Sequence, residues 1–221
     1  MIKNKRKLSI AILIAVLAIS IGSVSVYAAW KYLSASEVAQ NMQDAKIADA
    51  FTSSQAFTIN ETQCYGEYQV TLLSIVSGEY LSNFPAYSNG SLKTDRTYAV
   101  IAIENINGMP MPETSEDAYA KLEFFASPLI AGYSPILYNI ASMNGNYTDM
   151  TEDGILYRLL ECDNVEAFAD QELYVCVSDG IFYNPAAYIY DEVTGKISRN
   201  EAYDGLNALF KLPLDVSKVK K

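Results

Sequence analysis

The first pattern in the chain is a long uncharged stretch at residues 8–29, which follows four basic residues within the first seven. Eleven of its 22 residues are Leu, Ile or Val. As a helix it would extend roughly 33 Å, enough for a hydrocarbon core of about 30 Å. The basic cluster before it is typical of an N-terminus that stays on the inner side of the membrane. The pattern predicts a membrane-crossing helix that carries residue 31 onward to the outside.

A cleaved signal peptide is the alternative for the same segment. Its strongest apolar run, residues 8–21, is only 14 residues long, and Gly22 and Ser23 follow it. Val26-Tyr27-Ala28 fits a small-residue cleavage site. We therefore expect either a single-pass cell-membrane protein whose C-terminal domain lies outside, or a secreted protein. We therefore assign residues 1–30 to a signal peptide or transmembrane anchor.

Residues 33–51 show helical spacing of apolar positions, with Val38, Met42, Ala45 and Ala48 at steps of three and four. Ser34 and Glu37 have capping-box spacing at its start. This pattern predicts a helix that packs one apolar stripe against the following domain or stands apart as a stalk. We divide the chain accordingly into a helical stalk at residues 31–54 and an extracytoplasmic domain at residues 55–221.

From residue 56 the pattern changes to short runs rich in Tyr, Val, Ile and Thr, separated by Gly, Asn, Asp and Pro, which indicates strands and turns. The run at residues 98–103 is apolar on both faces and predicts a central strand. Gly195 is expected to supply positive φ in a hairpin loop at residues 191–196. A closing helix is predicted at residues 200–212. The predicted strands are residues 56–60, 68–76, 97–104, 122–126, 136–142, 155–161, 173–178, 188–191 and 196–198.

About nine short strands that do not alternate with long helices predict a mainly β fold, an immunoglobulin-like β-sandwich. The loop at residues 105–120 is the best candidate for a mobile surface.

The charge excludes one class of partner. The chain carries 16 basic and 26 acidic side chains, and four of the basic ones precede the apolar segment. The exported part is therefore strongly acidic, and its field repels phosphate backbones. We expect no nucleic-acid partner. The membrane is expected to be contacted through the N-terminal helix.

Three cysteines, Cys64, Cys162 and Cys176, are too few and too scattered for a disulfide framework. We expect three buried thiols that behave as small hydrophobes. A bridge between Cys162 and Cys176 stays open, because export would permit it.

The chain has no histidine, which excludes Ser-His-Asp triads, Cys-His pairs and His-based metal sites. It also lacks a glycine-rich phosphate loop. We assign no catalytic, cofactor-binding or metal-binding residue and expect no cofactor. Two carboxylates across a cleft would suit a glycoside hydrolase, but each acid lies in or beside a predicted loop. These acids are Glu116, Asp117, Glu152, Asp153, Asp163, Glu166, Asp170, Asp191 and Glu192.

Seventeen tyrosines provide rings that could line a sugar-binding or protein-binding face. The pairs Tyr188 and Tyr190, and Tyr133 and Tyr138, are the candidates. Most of the tyrosines are expected to be cross-strand residues of a sheet.

Several segments carry a family resemblance. They are Ala-Trp-Lys-Tyr-Leu-Ser-Ala-Ser-Glu-Val-Ala at residues 29–39, Ile-Ala-Asp-Ala-Phe at 47–51, Tyr-Gln-Val-Thr-Leu-Leu-Ser-Ile-Val-Ser-Gly at 68–78, Thr-Tyr-Ala-Val-Ile-Ala-Ile-Glu-Asn at 97–105, Asp-Gly-Ile-Leu-Tyr at 153–157 and Leu-Tyr-Val-Cys-Val-Ser-Asp-Gly at 173–180. The chain resembles an uncharacterised ectodomain family of Gram-positive bacteria. Some members of that family follow a transmembrane helix and an intracellular anti-sigma region.

The resemblance implies an extracytoplasmic sandwich of the bacterial cell envelope and a link to stress signalling. Seven residues precede the apolar segment here, so we expect no sigma-binding domain at that end. The leading hypothesis is a non-enzymatic, membrane-tethered binding or sensing module whose partner is another envelope protein or a glycan. The alternatives are a carbohydrate-active envelope hydrolase with paired carboxylates and a structural surface protein.

Overall fold

The computed structural model describes residues 31–84, 86–88 and 90–214. The predicted anchor or signal at residues 8–29 therefore lies outside the described residues. Residues 1–34 and 35–221 are two separate units, and the fold described below belongs to the second. The described part of the chain contains no helix that is long and apolar enough to cross a membrane.

Two short helices precede the strands, α1 (Ala35–Asn41) and α2 (Ala45–Thr52). A single helix over residues 33–51 was the wrong prediction, because Gln43 adopts a left-handed φ of 65°. Asp44 then caps α2, since its Oδ1 accepts a hydrogen bond from the backbone N–H of Ile47 at 3.2 Å. Apolar residues keep their helical spacing across this break, so their spacing alone could not predict where the helix is interrupted.

The fold is mainly β, as predicted. A five-stranded antiparallel sheet has the order β1-β2-β5-β8-β7. Its strands are β1 (Phe57–Tyr65), β2 (Tyr68–Glu79), β5 (Asp95–Asn105), β7 (Asn146–Glu152) and β8 (Ile155–Asp163). The predicted central position of the apolar run at residues 98–103 is confirmed, because β5 lies in the middle of this sheet.

A three-stranded antiparallel sheet has the order β12-β9-β6. Its strands are β6 (Phe124–Ile130), β9 (Leu173–Asp179) and β12 (Asn207–Lys211). Two small hairpins complete the strands, β3 (Ala86–Ser88) with β4 (Ser91–Lys93) and β10 (Tyr188–Tyr190) with β11 (Ile197–Arg199). Single 3-10 turns lie at Tyr119–Lys121 and Val165–Phe168.

One cluster of buried side chains contains residues from both sheets. In the five-stranded sheet its members alternate along β5, as Ala99, Ile101 and Ile103. In the three-stranded sheet they alternate along β9, as Leu173, Val175 and Val177. This alternation is the period of two that a strand imposes on its side chains.

The remaining faces of both sheets are also covered. Tyr174, Cys176 and Phe125, on the other face of the three-stranded sheet, form a second buried cluster with Tyr188 and Ile197 of the β10–β11 hairpin. On the five-stranded sheet, α1 packs on β5 and β8, and α2 packs on β2. The helices thus belong to the same compact unit as the strands, and the boundary follows Ser34 rather than residue 54.

One lateral side of the two sheets is joined by a side-chain amide. Gln63 in β1 donates from Nε2 to the carbonyl oxygen of Leu209, and its Oε1 accepts from the N–H of Leu209, both at 2.9 Å. The amide therefore pairs with the backbone N–H and C=O of Leu209 at the edge of β12, as the backbone of a neighbouring strand would.

Two further predicted elements were wrong. Residues 200–212 were expected to be helical, but they contain β12, where Ala208 and Phe210 are buried in the main core with the spacing of a strand. Residues 136–142 were expected to be a strand, but they form turns. There the Asn139 side chain donates to the carbonyl oxygen of Pro135 at 2.8 Å, so local bonds replace a ladder. The strands β3, β4 and β7 were not predicted.

The hairpin loop at residues 191–196 is confirmed, with Gly195 at φ 71°. A Cβ atom at this position would lie 2.7 Å from Cα of Gly132. The loop therefore requires glycine for both conformation and space.

The three cysteines form no disulfide. Cys162 and Cys176 are buried as predicted, but Cys64 is exposed. Because Cys162 is in β8 and Cys176 in β9, the two lie in different sheets and different clusters. Burial raises the pKa of each buried thiol to about 12.

We predict that a thiol reagent at pH 8 modifies one cysteine of the native protein and all three after unfolding. Cys64 is exposed, whereas the other two stay protonated and enclosed, and the thiolate is the reactive form. Mass spectrometry of the labelled chain counts the adducts. The Cys64→Ser variant is the control and should take up no label when native; rapid labelling of Cys162 or Cys176 in the native state would contradict the described core.

Candidate functional site

Two adjoining cavities form a groove beside the edge of β6. The first, of about 400 Å³, and the second, of about 340 Å³, share Ile136 and Tyr183 in their linings. We call these two cavities the aromatic groove. Its aromatic lining residues are Phe124, Phe125, Tyr147, Phe182, Tyr183, Tyr188 and Tyr190.

The rim of the aromatic groove presents apolar side chains to solvent. Phe182 is 74% exposed, and Ile136 and Ile181 are more than half exposed. These residues come from two loops, 131–145 and 180–187, that follow β6 and β9. Contiguous exposed apolar groups beside polar ones mark a binding surface more often than isolated apolar residues do.

A third cavity, of about 440 Å³, lies between the connection of α1 to α2 and the strands β7 and β8, and Ser82, Phe84 and Ala86 also line it. We call it the helix-side cavity. Asn146 and Thr148 of β7 line it together with Leu159 and Glu161, their cross-strand partners in β8. Tyr147 lines both this cavity and the aromatic groove. The two sites are therefore neighbours across β7.

A buried ion pair lies behind Tyr147. Arg158 in β8 donates to both carboxylate oxygens of Asp149 in β7, from Nε at 2.9 Å and from Nη2 at 2.7 Å. Its Nη1 donates to the backbone carbonyl oxygen of Phe124 in β6 at 2.6 Å. The side chains of the pair are 4% and 1% exposed. This arginine consequently links the five-stranded sheet to the three-stranded sheet.

Two tyrosines complete this cluster. The Tyr119 hydroxyl donates to Asp149 Oδ2 at 2.8 Å, and the Arg158 guanidinium carbon lies 3.6 Å from the ring centre of Tyr147. Stacking of a guanidinium on an aromatic face is attractive and orients the ring. Arg158 therefore fixes the position of the Tyr147 ring, which lines both the aromatic groove and the helix-side cavity.

The acids of the helix-side cavity already have hydrogen-bond partners. Glu161 accepts from Arg96 at 3.1 Å, and Arg96 also pairs with Asp163 at 2.7 Å. Asp44 accepts from the backbone N–H groups of Ile47 and Asn83 and from the Ser82 hydroxyl. These carboxylates have structural roles, and they give the cavity a negative lining.

The acids singled out from sequence are not gathered at one site. Glu152 and Asp153 lie at the β7–β8 turn, and Asp191 caps the β10–β11 loop by accepting from the N–H groups of Val193 and Thr194. These two bonds hold the pKa of the Asp191 carboxyl below its usual value. Of the nine acids, Glu192 lines the aromatic groove. In the described ranges, no group of three His, Cys, Asp or Glu side chains is placed to hold a metal ion.

The tyrosine pairs have different environments. Tyr188 is buried, and its hydroxyl lies 2.9 Å from the carbonyl oxygens of both Val177 and Ala208, while burial raises its pKa well above 10. Tyr190 lines the aromatic groove. Tyr133 and Tyr138 form an aromatic cluster with Phe168, with their own ring centres 5.0 Å apart.

Tyr147, Phe182 and Tyr183 were not singled out from sequence. A hydrophobic and aromatic segment such as Ile181-Phe182-Tyr183-Asn184-Pro185, just after a strand and in a turn context, is the signal that could have identified the groove. No protein-family model matches the chain, and no curated protein or solved structure is detectably similar to it.

We predict that Asp149→Asn lowers the free energy of unfolding by about 3–5 kcal/mol, because it leaves Arg158 buried without its counter-ion. The matched control is Glu201→Gln, which removes a charge from the pair with Arg199 where the carboxylate is 82% exposed. Such exposed pairs contribute only about 0–1 kcal/mol. Chemical denaturation of the full chain in a mild detergent measures both changes, and equal effects of the two variants would contradict the assigned role of Asp149.

Proposed function

We propose that this protein is a membrane-tethered extracytoplasmic binding or sensing module of the bacterial cell envelope, and that the aromatic groove is its binding site. The observation that carries the proposal is the aromatic lining of the groove, in which Phe182 and Tyr147 are exposed, beside two sheets that share one core. A rigid support lowers the entropic cost of binding, and aromatic side chains are enriched among the few residues that supply most of the binding energy at protein interfaces.

The finer description of the fold belongs to this proposal. An immunoglobulin-like β-sandwich is supported by two antiparallel sheets whose facing residues form a common core. Membership of the uncharacterised Gram-positive ectodomain family is supported by the resemblance of the strand segments at residues 68–78, 97–105 and 173–180. Both fit an envelope module that acts through a partner.

Tethering is supported by the uncharged segment at residues 8–29 and the basic residues before it. The acidic composition of the following residues fits a domain that stays soluble outside the membrane. Cleavage of the segment would give a secreted form with the same binding site.

A hydrolase with paired carboxylates is the less supported alternative. The acids that line the cavities include Asp44 and Glu161, and both are held in structural hydrogen bonds. The aromatic groove is lined by apolar and aromatic groups with Glu192 at one end. This arrangement suits recognition better than acid–base chemistry, which uses two opposed carboxyl groups.

We expect the native protein in the membrane fraction, with residues 35–214 digested when protease is added to intact cells from which the wall has been removed. Immunoblots with antibodies to the domain check this location. Recovery of full-length protein in the cytosolic fraction, protected from external protease, would refute the extracytoplasmic assignment.

We also expect Phe182→Ala to reduce capture of envelope components in crosslinking pull-downs by at least about tenfold, because truncating an exposed aromatic anchor typically costs about 2 kcal/mol or more. Tyr87→Ala is the matched control, since Tyr87 is 68% exposed and is not among the residues lining the three cavities. Quantitative mass spectrometry of the captured material compares the variants. Equal losses, or no loss in either, would count against the groove as the binding site.

A further inference from the structure

Strand β7 is an edge of the five-stranded sheet, and its first half is open to solvent. Asn146, Tyr147 and Thr148 are all exposed. The second half is covered by the 106–122 loop, because the Thr151 hydroxyl donates to the carbonyl oxygen of Pro112 at 2.8 Å and Tyr119 binds Asp149. An open edge offers backbone N–H and C=O groups to another extended chain.

Both edges of the three-stranded sheet are obstructed, and β1, the other edge of the five-stranded sheet, is interrupted by a bulge between Thr58 and Glu61. The Gln63 amide joins β1 to the edge of β12. Strand β6 contains Pro128, which has no N–H to donate, and its Ser127 hydroxyl accepts from the backbone N–H of Ile140 at 2.8 Å. The first half of β7 is therefore the stretch of edge best suited to pair with a further strand.

Two cavities lie on opposite faces of the sheet at this stretch. Asn146 and Thr148 line the helix-side cavity, on the face covered by the helices. Tyr147 pairs with Leu160, a member of the core between the sheets, so its side chain points to the face where the aromatic groove lies. A strand placed beside β7 would direct successive side chains alternately into the two cavities.

We propose that an extended peptide segment with alternating apolar and basic residues binds by adding a strand to β7 at Asn146, Tyr147 and Thr148. An apolar side chain opposite Tyr147 enters the aromatic groove, and basic side chains opposite Asn146 and Thr148 enter the helix-side cavity. Main-chain bonds supply affinity and the alternate pockets supply specificity, as in other modes of strand addition. This inference rests on the proposed function and names its partner as a segment of another envelope protein.

Charge complementarity selects the basic peptide. Asp44 and Glu161 line the helix-side cavity, and no Lys or Arg is among its described lining residues. A second copy of this chain is a poor occupant, because its own β7 contains no Lys or Arg and the chain has a net charge of −10. A glycan could stack on the rings but would leave the edge of β7 unpaired.

The test uses acetyl-Lys-Val-Lys-Val-Lys-Val-Lys-amide and the full chain in detergent, with binding measured by calorimetry. In an extended strand the valine N–H groups point to one edge and the lysine N–H groups to the other. We prepare one analogue that is N-methylated on the valines and one that is N-methylated on the lysines. Only the peptide edge that faces β7 loses hydrogen bonds on methylation. We therefore expect the analogue methylated on that edge to bind at least about tenfold more weakly than the parent, and the affinity of the other analogue to stay within about twofold.

Charge provides a second, independent arm. Asn146→Lys should weaken binding of the parent peptide by at least about tenfold, because it adds a positive charge at the helix-side cavity. Val193→Lys is the matched control, since Val193 is 95% exposed at the tip of the β10–β11 hairpin. It should change binding by less than about twofold. The peptide with Glu in place of Lys should bind the native chain at least about tenfold more weakly than the parent.

Three results would overturn the inference: no binding of the parent peptide at millimolar concentration, equal effects of the two methylation patterns, or equal effects of the two lysine variants. Sedimentation velocity of the chain alone examines the competing occupant. If the chain dimerises, and if the dimer is lost in Asn146→Lys but kept in Val193→Lys, the edge of β7 binds a second copy of the chain. That result would overturn the proposed binding of a peptide. If the peptide fails while Phe182→Ala still abolishes envelope capture, the proposed function survives and the strand-addition mode does not.

Discussion

The arrangement of the candidate site depends on one buried guanidinium. Arg158 projects from β8 into the space between the sheets, where an unpaired charge would cost several kcal/mol. Full pairing therefore constrains its neighbours: Asp149 holds β7 in position, the Phe124 carbonyl joins β6, and the Tyr147 ring lies against the guanidinium face. Because these partners come from both sheets, the same contacts that satisfy the arginine also fix the walls of the aromatic groove.

The two lateral sides of the sheets are joined by different means, and the difference explains where a cavity forms. On one side the Gln63 amide in β1 bonds directly to the backbone of Leu209 in β12. On the other side Arg158 reaches from β8 to the backbone carbonyl of Phe124 in β6, so its side chain spans the space between these strands. The turns at residues 136–141 and the segment Ile181-Phe182-Tyr183 border the space that remains. The aromatic groove therefore lies on the side that Arg158 joins.

Sequence patterns predicted the mainly β class, the central position of β5 and the hairpin at Gly195, because each depends on local periodicity or on the conformation of one residue. They failed where tertiary contacts decide. In β12, alternate burial of Ala208 and Phe210 outweighed the helical expectation for residues 200–212. Strand β7 has the polar sequence Asn-Tyr-Thr-Asp-Met-Thr-Glu, and it is a strand because it pairs with β8 and because Asp149 binds Arg158. The two-residue turn Asp153-Gly154, with φ of 52° and 75°, is a local signal for the β7–β8 hairpin, but no short-range pattern shows the contact between Asp149 and Arg158.

The candidate site was hidden from sequence for a related reason. Acids are abundant in the sequence and suggested carboxylate chemistry, yet Glu161, Asp149 and Asp44 are held by Arg96, by Arg158 and by backbone N–H groups respectively. Their positions maintain the fold, and what they leave for a ligand is a negative field beside an aromatic surface. The negative field and the aromatic surface meet at Tyr147, because its ring lines the aromatic groove while its neighbours Asn146 and Thr148 line the helix-side cavity. A strand edge between an apolar and an acidic cavity favours a partner that is extended and that alternates apolar with basic side chains, since only alternation at a period of two satisfies both cavities at once.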